Sequence, residues 1–300
     1  MHEHDWTIVY ESRGRRACEE YALVLVALGI PHMIAEGPRS AALLLVPAEH
    51  AGAAREQLRL YAAENRHRLP LPPLELHGLG LPGVIGYAIV LVGAFLVQGR
   101  VAFGVDWLEA GGLDGAAVRD GEWWRVLTAL TLHGDAGHLV ANVCFGAFFG
   151  AFAGQFLGSG VAWATILVAA GAGNALDLAL LPPSHRAIGA STAVFTALGL
   201  IAALMWRAEV RQTSTWARRY APLIGAAVLL AYLGTGDART DAVAHLTGFI
   251  TGVFAGAAYD MRRPRWLQSA AVQAVAGLVT LAVLATCWWL AVSSWRAGLA

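Results

Sequence analysis

The stretch AVAHLTGFITGVFAGAAY, residues 242–259, carries the pattern that decides the fold of this chain. It contains no Asp, Glu, Lys or Arg, and glycine recurs every fourth position at Gly248, Gly252 and Gly256. An uncharged run of this size is near the length that crosses a bilayer as a helix. Glycines four residues apart share one helix face and permit a second helix to approach closely. The stretch therefore predicts a membrane-spanning helix packed against another helix.

The composition of the whole chain agrees with a membrane protein. Of its 300 residues, 57% are hydrophobic and only 14% are charged, which is far from the soluble average. The 21 basic and 21 acidic residues give a formal net charge of zero. Nothing therefore indicates the electrostatic footprint of a nucleic-acid-binding protein, and no nucleic-acid partner is expected.

Seven apolar runs predict an all-α polytopic membrane protein, with a six-helix core within residues 80–260 and a seventh C-terminal helix within residues 266–294. The predicted spans cover residues 81–99, 136–157, 161–181, 189–206, 220–235, 241–259 and 269–293. Between the first two spans, residues 100–134 mix charged side chains with three tryptophans. Because indole rings favour the headgroup zone, this segment is expected to be a loop at the membrane surface.

Residues 1–70 differ from the rest because they carry charges throughout and only short apolar runs. They predict a small soluble α/β domain with a β-α-β-α order. Its predicted strands cover residues 6–10 and 41–46, and its predicted helices cover residues 16–28 and 51–65. A proline-rich linker follows at residues 71–79, since proline removes backbone donors and disfavours helix in the residue before it.

Arginine placement predicts the orientation, because the chain has no lysine and positive loops stay cytoplasmic. Arginines cluster before the first span, between the fourth and fifth, and after the sixth: Arg55, Arg59, Arg66, Arg68, Arg207, Arg211, Arg218, Arg219, Arg262, Arg263 and Arg265. Residues 1–5 lack the basic and apolar regions of a secretory signal. The expectation is a multi-pass protein of a bacterial inner membrane, with a cytoplasmic amino terminus and an outside carboxyl terminus.

Polar side chains inside spans are unfavourable, so those that persist suggest a function. Ser191, His245, His138 and Asn142 all lie near the predicted outer ends of their spans, which brings them to one depth. An imidazole can take the proton of a serine hydroxyl as it attacks a carbonyl. His138 and Asn142 lie four residues apart on one helix face, where both can hold an oxyanion with the Ser191 backbone N–H.

Each of these residues also has a structural interpretation. A lone serine such as Ser191 in a membrane helix is usually a small packing residue, and Asn142 alone more often joins helices. A single intramembrane histidine, such as His245 or His138, is as often a structural hydrogen-bonding group as a functional one. The convergence of the four residues at one depth favours a catalytic site.

Four blocks of the chain stand in the order and pattern of the rhomboid proteases and resemble them over roughly residues 80–260. They are Trp124-Arg125 followed by Thr128, His133, His138 and Asn142; Gly173-Asn174; Gly189-Ala190-Ser191; and residues 244–252 with His245 and its glycine ladder. The family commonly has glycine after the serine, whereas Thr192 stands here. A β-branched residue stiffens the backbone beside the proposed nucleophile.

The resemblance implies an intramembrane serine endopeptidase that hydrolyses peptide bonds in or near transmembrane segments of membrane-protein substrates. It implies that Ser191 is the nucleophile, that His245 is the base and then the acid, and that His138 and Asn142 stabilise the oxyanion. The implied supporting residues are Gly189, Phe195 (against the His245 ring), Gly248, Trp124, Arg125 and His133. The implied partners are transmembrane protein substrates and the lipid bilayer, with a cytoplasmic partner open for the amino-terminal domain.

The sequence leaves two other functional classes open. A non-catalytic rhomboid-like protein that binds transmembrane clients would be marked by loss of Ser191 or His245, and both are present. A transporter or channel would continue its polar residues through the membrane depth.

No cofactor or metal is expected, because the histidines and cysteines lack ligand spacing. Asp177 and Asp241 are expected to be solvated at the interface, and His185-Arg186 is expected to form a short exposed turn.

Overall fold

A computed structural model describes residues 5–38, 41–65, 78, 80–212, 215–234, 241–259 and 265–298. The chain divides into two compact units, Met1–Pro72 and Pro73–Ala300. The predicted linker at 71–79 lies outside the described residues except for Gly78.

The amino-terminal unit is a three-stranded antiparallel sheet with two helices. In chain order it contains β1 (Trp6–Ser12), α1 (Arg15–Ala27), β2 (Met33–Glu36), β3 (Ala42–Pro47) and α2 (Ala51–Asn65). The strand order is β1-β3-β2, with β3 in the centre. Alternate residues of β3 face the core, where Leu44 and Val46 pack with Leu25 of α1 and Leu58 of α2. The predicted β-α-β-α order lacks β2, because four residues are too few to show a clear alternation.

The second unit is almost entirely helical. Its helices are α3 (Leu81–Gly99), α4 (Trp107–Gly111), α5 (Gly115–Arg119), α6 (Arg125–Thr128), α7 (Ala136–Leu157), α8 (Ser159–Leu180), α9 (Ser191–Gln212), α10 (Trp216–Gly234), α11 (Ala242–Ala258) and α12 (Ala270–Ala297). Two short strands, β4 (Leu113–Asp114) and β5 (Arg186–Ala187), pair antiparallel. The segment predicted as a surface loop between the first two spans therefore contains three short helices and a strand.

Five helices in the described part of the chain are long and apolar enough to cross a membrane: α3, α7, α8, α9 and α12. α11 is apolar but shorter, at 17 residues. α10 includes Arg218 and Arg219 near its start, and these lower its mean hydropathy. The unit is thus an all-α membrane domain, and the count of seven spans stays a prediction.

α12 runs parallel to α8 along the bundle. Near its start, Gln273 donates to the carbonyl oxygen of Leu157 at 2.9 Å and accepts from the Val161 N–H at 3.0 Å, at the turn between α7 and α8. Near its other end, Trp288 Nε1 donates to Thr131 Oγ1 at 3.2 Å, in the segment that precedes α7. The carboxyl end of α12 therefore lies at the same end of the bundle as the segment between α3 and α7.

Candidate active site

Helices α9 and α11 pack closely because glycines of α11 face backbone carbonyls of α9. A Cβ atom placed on Gly248 would lie 2.5 Å from the carbonyl oxygen of Thr192. A Cβ atom on Gly252 would lie 2.1 Å from the carbonyl oxygen of Thr196, four residues further along α9. The glycines of α11 and the carbonyls of α9 that they meet both recur every four residues, so each turn of α11 faces one turn of α9. This register aligns the first turns of the two helices, which contain Ser191 and His245.

The ring of Phe195 supports the imidazole of His245. The two ring centroids lie 4.5 Å apart, at an angle of 36° between the ring planes. Phe195 is one helical turn after Ser191 and shares its face of α9, so the imidazole packs on the same face of α9 as the serine. Within the described residues, no hydrogen bond joins the Ser191 hydroxyl to the His245 ring. In enzymes without bound substrate, such bonds are often long and shorten when substrate binds.

The backbone fixes the tautomer of His245. Its Nδ1 atom lies 2.9 Å from the carbonyl oxygen of Gly234, at the end of α10. A carbonyl oxygen only accepts, so Nδ1 carries the proton and Nε2 of the neutral ring keeps its lone pair. Asp241 caps α11 by accepting from the Ala244 N–H at 3.0 Å, and its own carbonyl accepts from the His245 N–H at 3.1 Å. Asp241 thus holds the start of α11 and does not bond the His245 ring.

Ser191 is the first residue of α9. The first helical hydrogen bond runs from the Val194 N–H to the Ala190 carbonyl at 3.0 Å. The N–H groups of Ser191, Thr192 and Ala193 consequently have no acceptor within the helix. A helix amino terminus carries partial positive charge, so these donors suit an oxyanion that forms beside Ser191.

Gly189 permits His138 to approach the serine. A Cβ atom on Gly189 would lie 2.8 Å from His138 Nε2 and 3.7 Å from Ser191 Oγ. His138 Nε2 and Ser191 Oγ therefore border the same small space. Gly189 also has a φ of +133°, which L side chains rarely adopt.

Asn142 is buried inside the bundle, one turn after His138. Its side-chain amide donates to the carbonyl oxygen of His138 at 3.1 Å, within α7. The carbonyl of Asn142 accepts from the Tyr87 hydroxyl at 2.8 Å, which ties α7 to α3. The structure records no contact between the Asn142 side chain and Ser191 among the described residues, so its role as an oxyanion donor stays a prediction.

His133 is fully buried behind the serine segment. The Ala190 N–H points at His133 Nε2 over 3.5 Å, and the ring meets His138 edge to face at a centroid distance of 5.1 Å. Burial lowers the pKa of His133 to about 4, so its ring is neutral near pH 7. The side chain of Gln98 bonds both the N–H and the carbonyl of His133. The sequence did not single out Gln98 as a candidate site residue, although it is a polar residue at the end of the first apolar run.

The Thr192 side chain places its methyl group in the junction of α8, α9 and α11. It is only 3% exposed. Its methyl carbon lies 3.1 Å from the position of a Cβ atom on Gly173 of α8 and 2.9 Å from that on Gly248 of α11. Two glycines therefore make room for the side chain that replaces the expected glycine.

Trp124 and Arg125 lie in the segment between α3 and α7. Arg125 forms an ion pair with Glu122 and donates to the carbonyl oxygens of Glu109 at 2.8 Å and Gly112 at 2.9 Å. These contacts fold the segment back on itself. Arg125 is therefore positioned to hold this segment in place.

A second group of titratable side chains lies at the same end of the bundle. Asp177 of α8 is fully buried, which makes the expectation of interfacial solvation for it wrong. It lies 3.1 Å from the half-buried ring of His185, which in turn contacts Asp241. The sequence did not indicate this group because its members are separated in the chain and their spacing matches no ligand motif.

Comparison with known proteins identifies a family that this chain resembles. Residues 120–262 match the rhomboid domain family. A protein of Toxoplasma gondii named rhomboid-like protease 3 is 30% identical over 148 residues, which are 48% of this chain and 56% of that protein. The matched segment thus spans little more than half of that relative. Ser191, His245, His138 and Asn142 all lie within residues 120–262.

Proposed function

Because the chain belongs to the rhomboid family through its rhomboid domain at residues 120–262, we propose that it is an intramembrane serine endopeptidase. Rhomboid proteases act on transmembrane substrates within a membrane, and this chain is an integral membrane protein. The proposed substrates are membrane proteins, cut in or near their transmembrane segments. The observation that carries the proposal is the alignment of the Ser191 and His245 turns by the glycine contacts between α9 and α11.

The proposed mechanism is acyl transfer by a serine–histidine dyad. Nε2 of His245 takes the Ser191 hydroxyl proton as Oγ attacks the scissile carbonyl carbon. The imidazolium then gives this proton to the leaving amine, and an acyl-enzyme remains. A water molecule, deprotonated by the same Nε2, hydrolyses the ester and restores Ser191.

The oxyanion of each tetrahedral intermediate needs donors. The N–H groups in the first turn of α9 supply them from the backbone, and His138 Nε2 borders the same space as Ser191 Oγ. Asn142 would add its amide after turning one N–H toward the substrate. Removing one such donor typically raises the barrier by about 3 kcal/mol.

The proposed orientation places the amino terminus in the cytoplasm and the site near the outer face. The arginine distribution supports this orientation, and the seventh apolar helix would put the carboxyl terminus outside. Topology reporters fused after Arg263 and after Ala300 should locate on opposite faces of the membrane. Two cytoplasmic reporters would remove α12 from the set of spans.

A cleavage assay tests the proposed activity. The purified full chain, reconstituted in lipid vesicles, is incubated with labelled single-span substrates. The wild type and Ser184→Ala, which alters an exposed serine, should release fragments, whereas Ser191→Ala should release none. Fragments from the Ser191→Ala protein at the wild-type rate, after contaminating proteases are excluded, would sink the proposal. Specific binding of these substrates without cleavage by the wild type would support the non-catalytic alternative.

A further inference from the structure

Three side chains from three separate elements meet at the end of the bundle that holds the proposed dyad. They are Asp177 near the end of α8, His185 in the segment before β5, and Asp241 at the start of α11. His185 Nε2 lies 2.9 Å from Asp241 Oδ2 and 3.1 Å from Asp177 Oδ2. The three potential ligand atoms lie within 4.8 Å of one another.

Hydrogen bonding inside this group leaves the Asp177 carboxylate without a donor. A ring nitrogen carries at most one hydrogen, and the His185 Nε2–H geometry is directed at Asp241. Neither oxygen of Asp177 has a hydrogen-bond partner among the described residues, although its side chain is 0% exposed. A buried carboxylate is strongly unfavourable unless it is paired and hydrogen-bonded.

The net charge of Asp177, His185 and Asp241 also favours a bound cation. Two carboxylates and one imidazole carry a net charge of −1 when the ring is protonated and −2 when it is neutral. A divalent cation balances the neutral-ring form and bonds the Asp177 oxygen that receives no hydrogen bond. The cation would also replace the repulsion between Asp177 and Asp241 with two favourable contacts.

The spacing of the donor atoms fits such an ion. Ligand atoms bound about 2.0–2.2 Å from a tetrahedral zinc ion lie about 3.3–3.6 Å from one another. His185 Nε2 lies 2.9 Å and 3.1 Å from the two carboxylate oxygens, so these atoms need to separate by only a few tenths of an ångström. Imidazole suits zinc and neighbouring transition metals, whereas magnesium and calcium prefer oxygen ligands alone.

We propose that Asp177, His185 and Asp241 form a binding site for a divalent transition-metal cation, with zinc as the best match to the donor set. His185 coordinates through the lone pair of Nε2, and its ring proton lies on Nδ1. Asp241 binds through Oδ2 and keeps Oδ1 for the cap on the Ala244 N–H. The site goes beyond the proposed protease function and does not depend on it.

The contacts of the three ligands indicate what the cation does. Asp241 caps α11, and its carbonyl accepts from the N–H of His245. The carbonyl of His185 accepts from the Gly115 N–H at 3.0 Å, which joins the segment before α9 to the segment between α3 and α7. Asp177 anchors both to α8. The bound ion therefore acts as a positioning site that ties the start of α11 to its neighbours, and it does not touch the reacting atoms.

Metal binding by the full-length protein tests this proposal. The untagged chain, purified in detergent and stripped with a chelator, is titrated with zinc chloride while bound metal and thermal unfolding are followed. We expect about one zinc per chain and a higher unfolding temperature. Asp177→Asn and His185→Gln should each weaken zinc binding at least tenfold, since each removes a ligand. Glu109→Gln, which alters an exposed carboxylate near the same loop, should bind zinc as the wild type does.

The outcomes are separable. A wild type that retains no stoichiometric zinc and shows no change in unfolding temperature overturns the proposal and leaves a group of three side chains in contact without an ion. Zinc bound with unchanged affinity by a folded His185→Gln protein overturns it as well, because the ion then lies elsewhere. If the variants fail to fold, two measurements on the wild type still decide whether the site exists. These are the number of zinc ions bound per chain and the change in unfolding temperature when a chelator removes the zinc. The proposed proteolysis is tested in a separate assay. A failure of that proposal leaves the zinc stoichiometry and the unfolding temperature unaffected.

Discussion

Gly248 of α11 lies directly against the carbonyl group of Thr192 in α9, where a Cβ atom would come within 2.5 Å of the oxygen. Thr192 follows Ser191, and Gly248 lies three residues after His245 on the same face of α11. The contact therefore sets the heights of the proposed nucleophile and base relative to each other. Any side chain at Gly248 must push the two helices apart.

Gly248→Ala should destabilise the protein and reduce proteolysis. Backbone atoms oppose the new methyl group, so overpacking is expected to cost about 1–3 kcal/mol. Gly225→Ala is the matched control, because a Cβ atom on Gly225 of α10 meets no atom within 4 Å. Thermal unfolding and cleavage rates of both variants check this expectation. Equal unfolding temperatures for the two variants would refute the close contact.

Gly189→Ala should impair the site through two effects. Its φ of +133° is unfavourable for alanine, at a cost of about 1–3 kcal/mol, and the methyl group would press on the His138 ring. Cleavage should fall at least tenfold. Gly134→Ala, in the segment before α7 where a Cβ atom meets nothing within 4 Å, should retain activity. Wild-type turnover by Gly189→Ala would contradict this geometry.

His133 should make stability depend on pH. Burial lowers its pKa to about 4, against about 6.5 in the unfolded chain, so the folded state favours the neutral ring. Its stabilising contribution is present above pH 6.5 and is lost as the pH falls toward 4, by on the order of 3 kcal/mol. Unfolding free energies should therefore decline less steeply in this window for His133→Gln than for the wild type.

His50 of the amino-terminal unit, which is partly exposed, supplies the comparison variant. His50→Gln should keep the wild-type pH dependence. If His133→Gln and His50→Gln gave the same profiles between pH 6.5 and 4, His133 would not be the group responsible.

The Asn142→Ala variant distinguishes two roles for Asn142, as an oxyanion donor or as a packing residue. If Asn142 is an oxyanion donor, Asn142→Ala should lower turnover by an order of magnitude or more, while membrane insertion and folding are retained. His138→Ala should resemble it. Substrate titrations should show the loss in kcat with little change in KM. An effect confined to unfolding temperature would assign the Asn142 side chain to packing alone, through its bond to the His138 carbonyl.

Much of the arrangement of the site could be predicted from sequence, because apolar run lengths place helix ends. Those ends bring Ser191, His245 and His138 to one end of the bundle. The glycine ladder of α11 likewise predicted a close helix neighbour. The sequence does not specify which carbonyls the glycines meet, since that depends on the relative rotation and height of two helices.

Other features depend on contacts between distant parts of the chain. Asp177, His185 and Asp241 meet only after α8, α9 and α11 have packed, and no local spacing encodes the meeting. The bond from His245 Nδ1 to the Gly234 carbonyl likewise joins two helices. Strand β2 was missed for a different reason, because its four residues are shorter than the window in which alternation can be recognised.

Covalent labelling of Ser191 tests the central claim most directly. The purified wild type is treated with a fluorophosphonate-type probe, and the modified residue is identified by mass spectrometry of its peptides. One adduct per chain on Ser191 is expected, with strong loss of labelling in His245→Ala, because an unactivated hydroxyl is a poor nucleophile at neutral pH. Ser184→Ala should label fully and Ser191→Ala not at all. Labelling of Ser191→Ala to the wild-type extent, or a wild-type adduct on another residue with Ser191 unmodified, would contradict the assignment.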